Sequence, residues 1–165
     1  MKTAIVYYSM SGNTAITAEK LAEGTGADLI RIAPEKAYPD RGFRKFLWGG
    51  KSAVMAETPV LQPYTFDAEQ YDLVILGFPV WAGSFAPPLR TFVQENKEVL
   101  RGRKIAAFAC QSGSGAEKAF RKLQDSLGTN AFTATLILID PKSRPKEDND
   151  RKIADFMAKL TGGQA

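Results

Sequence analysis

The chain has 165 residues, 44% of them hydrophobic and 24% charged, and its 22 basic and 18 acidic side chains leave a net charge of +4. Such values suit one globular domain with room for a sizeable core. One cysteine and no histidine exclude an internal disulfide, a Cys- or His-built zinc site and a Ser-His-Asp triad.

Two further expectations follow from the pattern. The longest apolar runs, Leu73 to Gly83 and Ala131 to Ile139, are about half the roughly 20 residues of a membrane helix. Met1-Lys2-Thr3 leads straight into a strand-like run with no room for a signal peptide, so a cytoplasmic protein without a membrane span is expected. Basic residues concentrate only at Arg41 to Lys51 and Arg101 to Lys104, with no nucleic-acid-binding motif around them. Nucleic acid is therefore not an expected partner.

In chain order, Lys2 to Tyr8 predicts a first strand and Asn13 to Glu23 an amphipathic helix that ends near Gly24 and Gly26. Between them lies Ser9-Met10-Ser11-Gly12-Asn13-Thr14, a turn that supplies three hydroxyls, an amide and no Lys or Arg. Ser, Asn and Thr there can simply cap the helix. A turn of this kind also aims backbone N–H groups and the positive end of a helix dipole at one point, where an anion such as phosphate binds. A phosphate so held would be neutralised by dipoles and hydrogen bonds, not by a paired cation.

Asp28 to Ile32 is short and mixed, as an edge strand would be. Residues 33–67 lack a simple strand–helix rhythm, carry several Pro and Gly, and predict a helix over Arg41 to Trp48 and another near Ala53. Long stretches like this inside a compact domain are often functional. Leu73 to Leu76 and Ile105 to Ala109 are apolar on both faces and read as central parallel strands. Pro87-Pro88 opens a helix with Leu89, Phe92 and Val93 on its core face. Ala116, Phe120, Leu123 and Leu127 mark a third helix, Ala131 to Ile139 a last strand, and Ile153, Phe156, Met157 and Leu160 a last helix. Five strands alternating with helices predict one α/β domain over residues 1–165, a parallel sheet covered on both faces.

Ligands of open α/β sheets sit beyond the carboxyl ends of the strands. Three connections leave such ends. The first is the hydroxyl turn. The second, Gly77 to Pro88, reads as a loop carrying Phe78, Trp81 and Phe85, and the third is Cys110-Gln111-Ser112-Gly113-Ser114-Gly115, small and polar. Together they suit a flat, polar-edged ring with a phosphate tail. Cys110, following a buried strand, reads as a small core residue.

With these loops in place the chain resembles the flavodoxin-like family, which binds FMN. Ser9 to Thr14 is similar to that family's S/T-x-S/T-G-N-T phosphate loop, and element order matches over nearly the whole chain. The resemblance implies a three-layer sandwich with sheet order 2-1-3-4-5. It implies that Ser9, Met10, Ser11, Gly12, Asn13 and Thr14 hold the FMN phosphate, that Pro79, Val80, Trp81, Ala82 and Gly83 flank the isoalloxazine, and that Gln111, Ser112, Gly113 and Ser114 meet its pyrimidine edge. Trp81 can stack on the flavin or plug its loop against the sheet. No catalytic acid, base or metal ligand is assigned.

The implied function is electron transfer or oxidoreduction with FMN, serving a redox partner protein or a small planar substrate such as a quinone. An NAD(P)H- or quinone-linked reductase and an interaction module without flavin are the alternatives. Three departures bear on the choice. Flavodoxins are usually strongly acidic, often stack a Tyr from the third loop where Gly113 and Gly115 stand here, and often place Gly where Ala82 follows Trp81. An open outer face and a constrained loop would favour two-electron transfer, unless Phe43, Phe46 or Trp48 covers the flavin from the same subunit or across a homodimer.

Competing motifs fail on their spacing. Gly49-Gly50-Lys51-Ser52 ends like a P-loop, but Lys45 stands where the earlier glycine belongs. A phosphatase Cys-x5-Arg loop would need Arg where Ala116 stands, and a receiver domain would need acidic residues at Ser9 and Met10.

Overall fold

The computed structural model describes residues 1–38, 57–129 and 131–162. Its strands are β1 (Thr3–Tyr7), β2 (Asp28–Arg31), β3 (Leu73–Trp81), β4 (Ser84–Phe85), β5 (Lys104–Gln111) and β6 (Thr135–Ile139). Its helices are α1 (Asn13–Thr25), α2 (Pro87–Leu100), α3 (Ala116–Leu127) and α4 (Asn149–Leu160), with a short 3-10 turn at Ala68–Gln70. The sheet order is β2-β1-β3-β5-β6, with β4 attached only to β3. Counting the five long strands alone, that is the expected 2-1-3-4-5 arrangement, and each neighbouring pair is parallel.

The unbroken apolar runs have their cause in this geometry. Alternate residues of a strand point to opposite faces, so a strand covered on both sides must be apolar throughout. Val74, Leu76 and Phe78 face a core that includes Leu89, Phe92, Phe120 and Leu123 from α2 and α3. Leu73 and Ile75 face the opposite core, with Ala18, Leu21, Ile153 and Phe156 from α1 and α4. β2 pairs only with β1, and of its residues just Ile30 is half-buried, as befits an edge.

The structure corrects the second connection. Gly77 and Pro79 do not open a loop; β3 continues to Trp81, with Gly77 to Pro79 paired to Phe108 to Cys110. Pro79 is tolerated because β1 has already ended opposite Gly77, leaving an edge that needs no donor. Phe78 and Phe85 are wholly buried, so core packing accounts for two of the aromatics assigned to that loop. The connection itself is Ala82-Gly83, with φ of 50° and 69°, closing Trp81 onto Ser84. Two successive positive φ values are the signature of a tight hairpin whose twist suits the flanking strands.

Boundaries shift modestly elsewhere. α1 runs on to Thr25 and ends at Gly26 in the left-handed conformation. β6 begins at Thr135, although Thr133 and Ala134 already bond to Ile105 and Ala107. The ends of the long 33–67 stretch are drawn together by a Pro34–Leu61 bridge and by Glu35 N–H donating to the Val60 carbonyl at 2.8 Å. The helices expected at Arg41 to Trp48 and near Ala53, and the Gly49 to Ser52 motif, lie outside the described residues. Among the described residues no helix is long and apolar enough to cross a membrane.

Candidate functional site

Strand order reverses between β1 and β3, which places the turns after β1, β3 and β5 at one edge of the sheet. They enclose a cleft of about 360 Å³. Met10, Ser11 and Asn13 line it from the first turn, Pro79, Val80 and Trp81 from the end of β3, and Ser112, Gly113 and Ser114 from the turn after β5. Nine of the residues expected at a cofactor are thus on one cavity wall. Ser9, Gly12, Thr14, Ala82, Gly83 and Gln111 do not line it. Cys110 and Asp140 do line it, neither of them among the expected site residues.

The first turn is built for a positive helix end. Gly12 precedes α1 with φ 97°, a left-handed conformation that a side chain would strain. Ser9 Oγ accepts from Ala15 N–H at 3.1 Å, so this buried hydroxyl caps the helix from outside it. Asn13 Nδ2 donates to Ser11 Oγ at 3.4 Å, while its Oδ1 accepts from the Lys142 backbone N–H at 2.8 Å. Arg31 donates to the Ser9 carbonyl at 3.2 Å. The first turn is therefore tied to β2 on one side and to the chain after β6 on the other.

The third turn is folded by Gln111. Its Oε1 accepts from Ala116 N–H at 2.9 Å, capping α3, and its Nε2 donates to the Gly113 carbonyl at 3.3 Å. Gly115 has φ 104°, and a Cβ on it would stand 3.0 Å from Gly83 Cα and 3.2 Å from Val80 Cγ1. The third turn and the hairpin can pack this closely only because that position lacks a side chain.

Trp81 is almost fully buried at 4% exposure while still edging the cleft. Its ring meets Tyr8 at 5.7 Å and Tyr38 at 5.4 Å between centroids, both at 89°. These are edge-to-face contacts favoured by aromatic quadrupoles. Burial pushes the Tyr8 phenol far above the usual tyrosine range and the Tyr38 phenol up to about 12.

A fourth connection, after β6, completes the edge. Asp140 takes φ 39°, rare for a residue with a side chain, and its N–H donates to the Gln111 carbonyl at 3.0 Å. Its carboxylate accepts from Ser112 Oγ at 3.1 Å and from Arg144 Nε at 3.0 Å, and Arg144 also donates to the Ser112 carbonyl at 2.6 Å. The available signal was positional. Ile139-Asp140-Pro141 leaves a strand carboxyl end at the same sheet edge as the other three turns.

Cys110 is buried, and desolvation is the main cause that pushes its thiol up to about 11, with Thr17 and Thr14 hydroxyls opposing and Asp140 reinforcing the shift. It is a neutral thiol near pH 7 and no activated nucleophile. Thr14, expected at a phosphate, is likewise buried. Among the described residues no His, Cys, Asp and Glu cluster could hold a metal.

The buried thiol and phenols make stability fall in alkali. The folded state keeps these protons to higher pH than the unfolded chain, so their contribution is complete below pH 9 and is lost as pH rises from about 9 toward 11 for Cys110 and from about 10 toward 12 for Tyr38. The urea midpoint should drop steadily over that window. A midpoint level from about pH 8 to pH 11 would contradict the burial of these groups.

Comparison with known proteins agrees with this architecture. A family model described as Flavodoxin matches residues 2–149, and the chain belongs to the flavodoxin family. Among solved structures, a candidate flavoprotein from Bacteroides eggerthii DSM 20697 is 26% identical, with 95% of this chain and 98% of that one covered and a TM-score of 0.75. A flavoprotein from Lactobacillus acidophilus NCFM, in complex with FMN, is 23% identical over 91% of this chain and 97% of that one, with a TM-score of 0.71. Flavodoxin 1 from Bacillus cereus is 19% identical over 100% of both chains, with a TM-score of 0.55. The last two likenesses speak to the fold alone.

Proposed function

We propose that this chain binds FMN in the cleft and serves electron transfer. The observation that carries the reading is the convergence of the hydroxyl turn, the Trp81 hairpin and the Ser112 to Ser114 turn on one cavity where strand order reverses. The donor set fits the cofactor from end to end. A left-handed glycine and a helix N-terminus suit the phosphate, an aromatic and aliphatic wall suits the ring system, and small polar residues suit its pyrimidine edge.

The bound flavin would supply the redox chemistry, accepting and returning electrons. The protein's own residues bind and orient it. Ser9 to Thr14 would hold the phosphate, with Ser11 and Asn13 on the cleft wall and Ser9 fixing the turn from behind. Pro79 to Gly83 would flank the isoalloxazine, and Gln111 to Ser114 would meet its pyrimidine edge. Titration of the flavin-stripped protein with FMN should show tight one-to-one binding with quenched flavin fluorescence. Failure to bind would leave an interaction module on the same fold.

A reductase reading has its own support. Gly113 and Ser114 are exposed, so the third turn places no aromatic over the cleft, and the Ala82-Gly83 hairpin is held in a defined two-residue turn. Both features suit a second planar molecule, such as a quinone or nicotinamide, visiting the flavin for a two-electron exchange. NAD(P)H consumption by the FMN-loaded protein with a quinone, and no added reductase, separates this reading from a carrier. Phe43, Phe46 and Trp48, the other residues expected over the flavin, lie outside the described residues.

A further inference from the structure

The phosphate-loop turn contains no Lys or Arg, yet the fold brings one to it from the far end of the chain. A Cβ built on Gly12 would stand 2.8 Å from Lys142 Nζ and 3.0 Å from its Cδ, so the lysine stem lies where Gly12 lacks a side chain. We propose that Lys142 is the phosphate-recognition cation of this site and sets its preference for a phosphorylated flavin. The inference rests on the FMN reading above and departs from the expectation of a phosphate neutralised by dipoles and hydrogen bonds without a paired cation.

Three features hold the lysine there. Its backbone N–H donates to Asn13 Oδ1 at 2.8 Å, which fixes it to the first turn of α1. Asp140 and Arg144, on either side, anchor the same connection to Ser112 on the opposite wall of the cleft. Pro141 and Pro145 restrict the backbone between and beyond them. The connection thus spans the cleft from the third turn to the phosphate turn, with Lys142 at the phosphate end. Among the described residues no carboxylate pairs with Lys142, whereas Arg31, the other nearby cation, is committed to the Ser9 carbonyl. A phosphate dianion would give the ammonium a charge-assisted partner at a helix end that already favours anions.

The test measures dissociation constants for FMN and riboflavin with the full chain, Lys142→Gln and Lys142→Arg, at low and moderate salt. Lys142 is exposed, so neither variant disturbs the core. Lys142→Gln should lose about tenfold in FMN affinity at low salt, consistent with one charge-assisted hydrogen bond. Its riboflavin affinity should not change, and its salt dependence should flatten. Lys142→Arg should restore most of the loss. An unchanged FMN affinity and salt dependence in Lys142→Gln, beside an unaltered chain that prefers FMN to riboflavin, overturns the lysine's role and leaves the FMN reading standing. An unaltered chain that binds neither flavin, or both equally, overturns the phosphate site itself and the lysine's role with it.

Discussion

Replacing Trp81 with Ala is expected to destabilise the protein by about 3–5 kcal/mol, the usual cost of emptying a buried aromatic site. Trp81 is 4% exposed and forms the middle of a three-ring cluster with Tyr8 and Tyr38, so its removal unpacks the ends of β1 and β3 together. Against a total stability of about 5–15 kcal/mol, that is a large fraction, and the melting temperature should fall by roughly 10 °C. Trp81→Phe keeps an aromatic edge toward both tyrosines and should lose much less. If Trp81→Ala cost under about 1 kcal/mol, the ring would be a cleft ornament and not a core residue. In the FMN-loaded protein the same variant should also raise flavin fluorescence if Trp81 flanks the ring system as proposed. The two readings of Trp81, core plug and flavin neighbour, are compatible in this geometry, since one edge is buried among the tyrosines while the residue still lines the cleft.

What the sequence made legible follows from how locally each feature is determined. The doubly apolar runs of β3 and β5 and the helical stripes of α2 and α3 announced the parallel sheet and its two coverings, because burial on both faces leaves no alternative residue pattern. The hydroxyl turn after β1 was legible for the same reason, since turn chemistry is read within a few residues. The end of β3 was not. Gly77 and Pro79 carry the signs of a loop, and only the early termination of β1 and the wholly buried rings of Phe78 and Phe85 explain why the strand continues past them. The connection after β6 was missed because its role depends on contacts that no local pattern encodes. Asn13 and Lys142 are 129 residues apart, and Ser112 and Arg144 are separated by 32. Neither spacing has a periodicity to betray it. Asp140 adds a positive φ at a residue that gives no warning of one, and its carboxylate, bound to Ser112 and Arg144, accounts for how that conformation is held.

Asn13→Asp separates the helix from the site it serves, and we expect it to raise stability while weakening FMN binding on the order of a hundredfold. The substitution is nearly isosteric, and a carboxylate oxygen can still accept the Lys142 N–H that Asn13 Oδ1 accepts now. The new negative charge falls on the first residue of α1, whose first turn has no acidic residue. There it interacts favourably with the helix dipole, for a gain of about 0.3–1 kcal/mol. The same charge lines the cleft beside the proposed phosphate position, where it repels a dianion and draws the Lys142 ammonium toward itself. Riboflavin, which has no phosphate, should bind the variant and the unaltered chain alike. Lowering the pH should recover part of the FMN affinity, because a phosphate whose second proton returns near pH 6 carries less charge to repel. Thermal melts of the flavin-free proteins and titrations with both flavins read the two effects separately. An FMN affinity that survives Asn13→Asp would place the phosphate away from this turn, even if the helix is stabilised as expected.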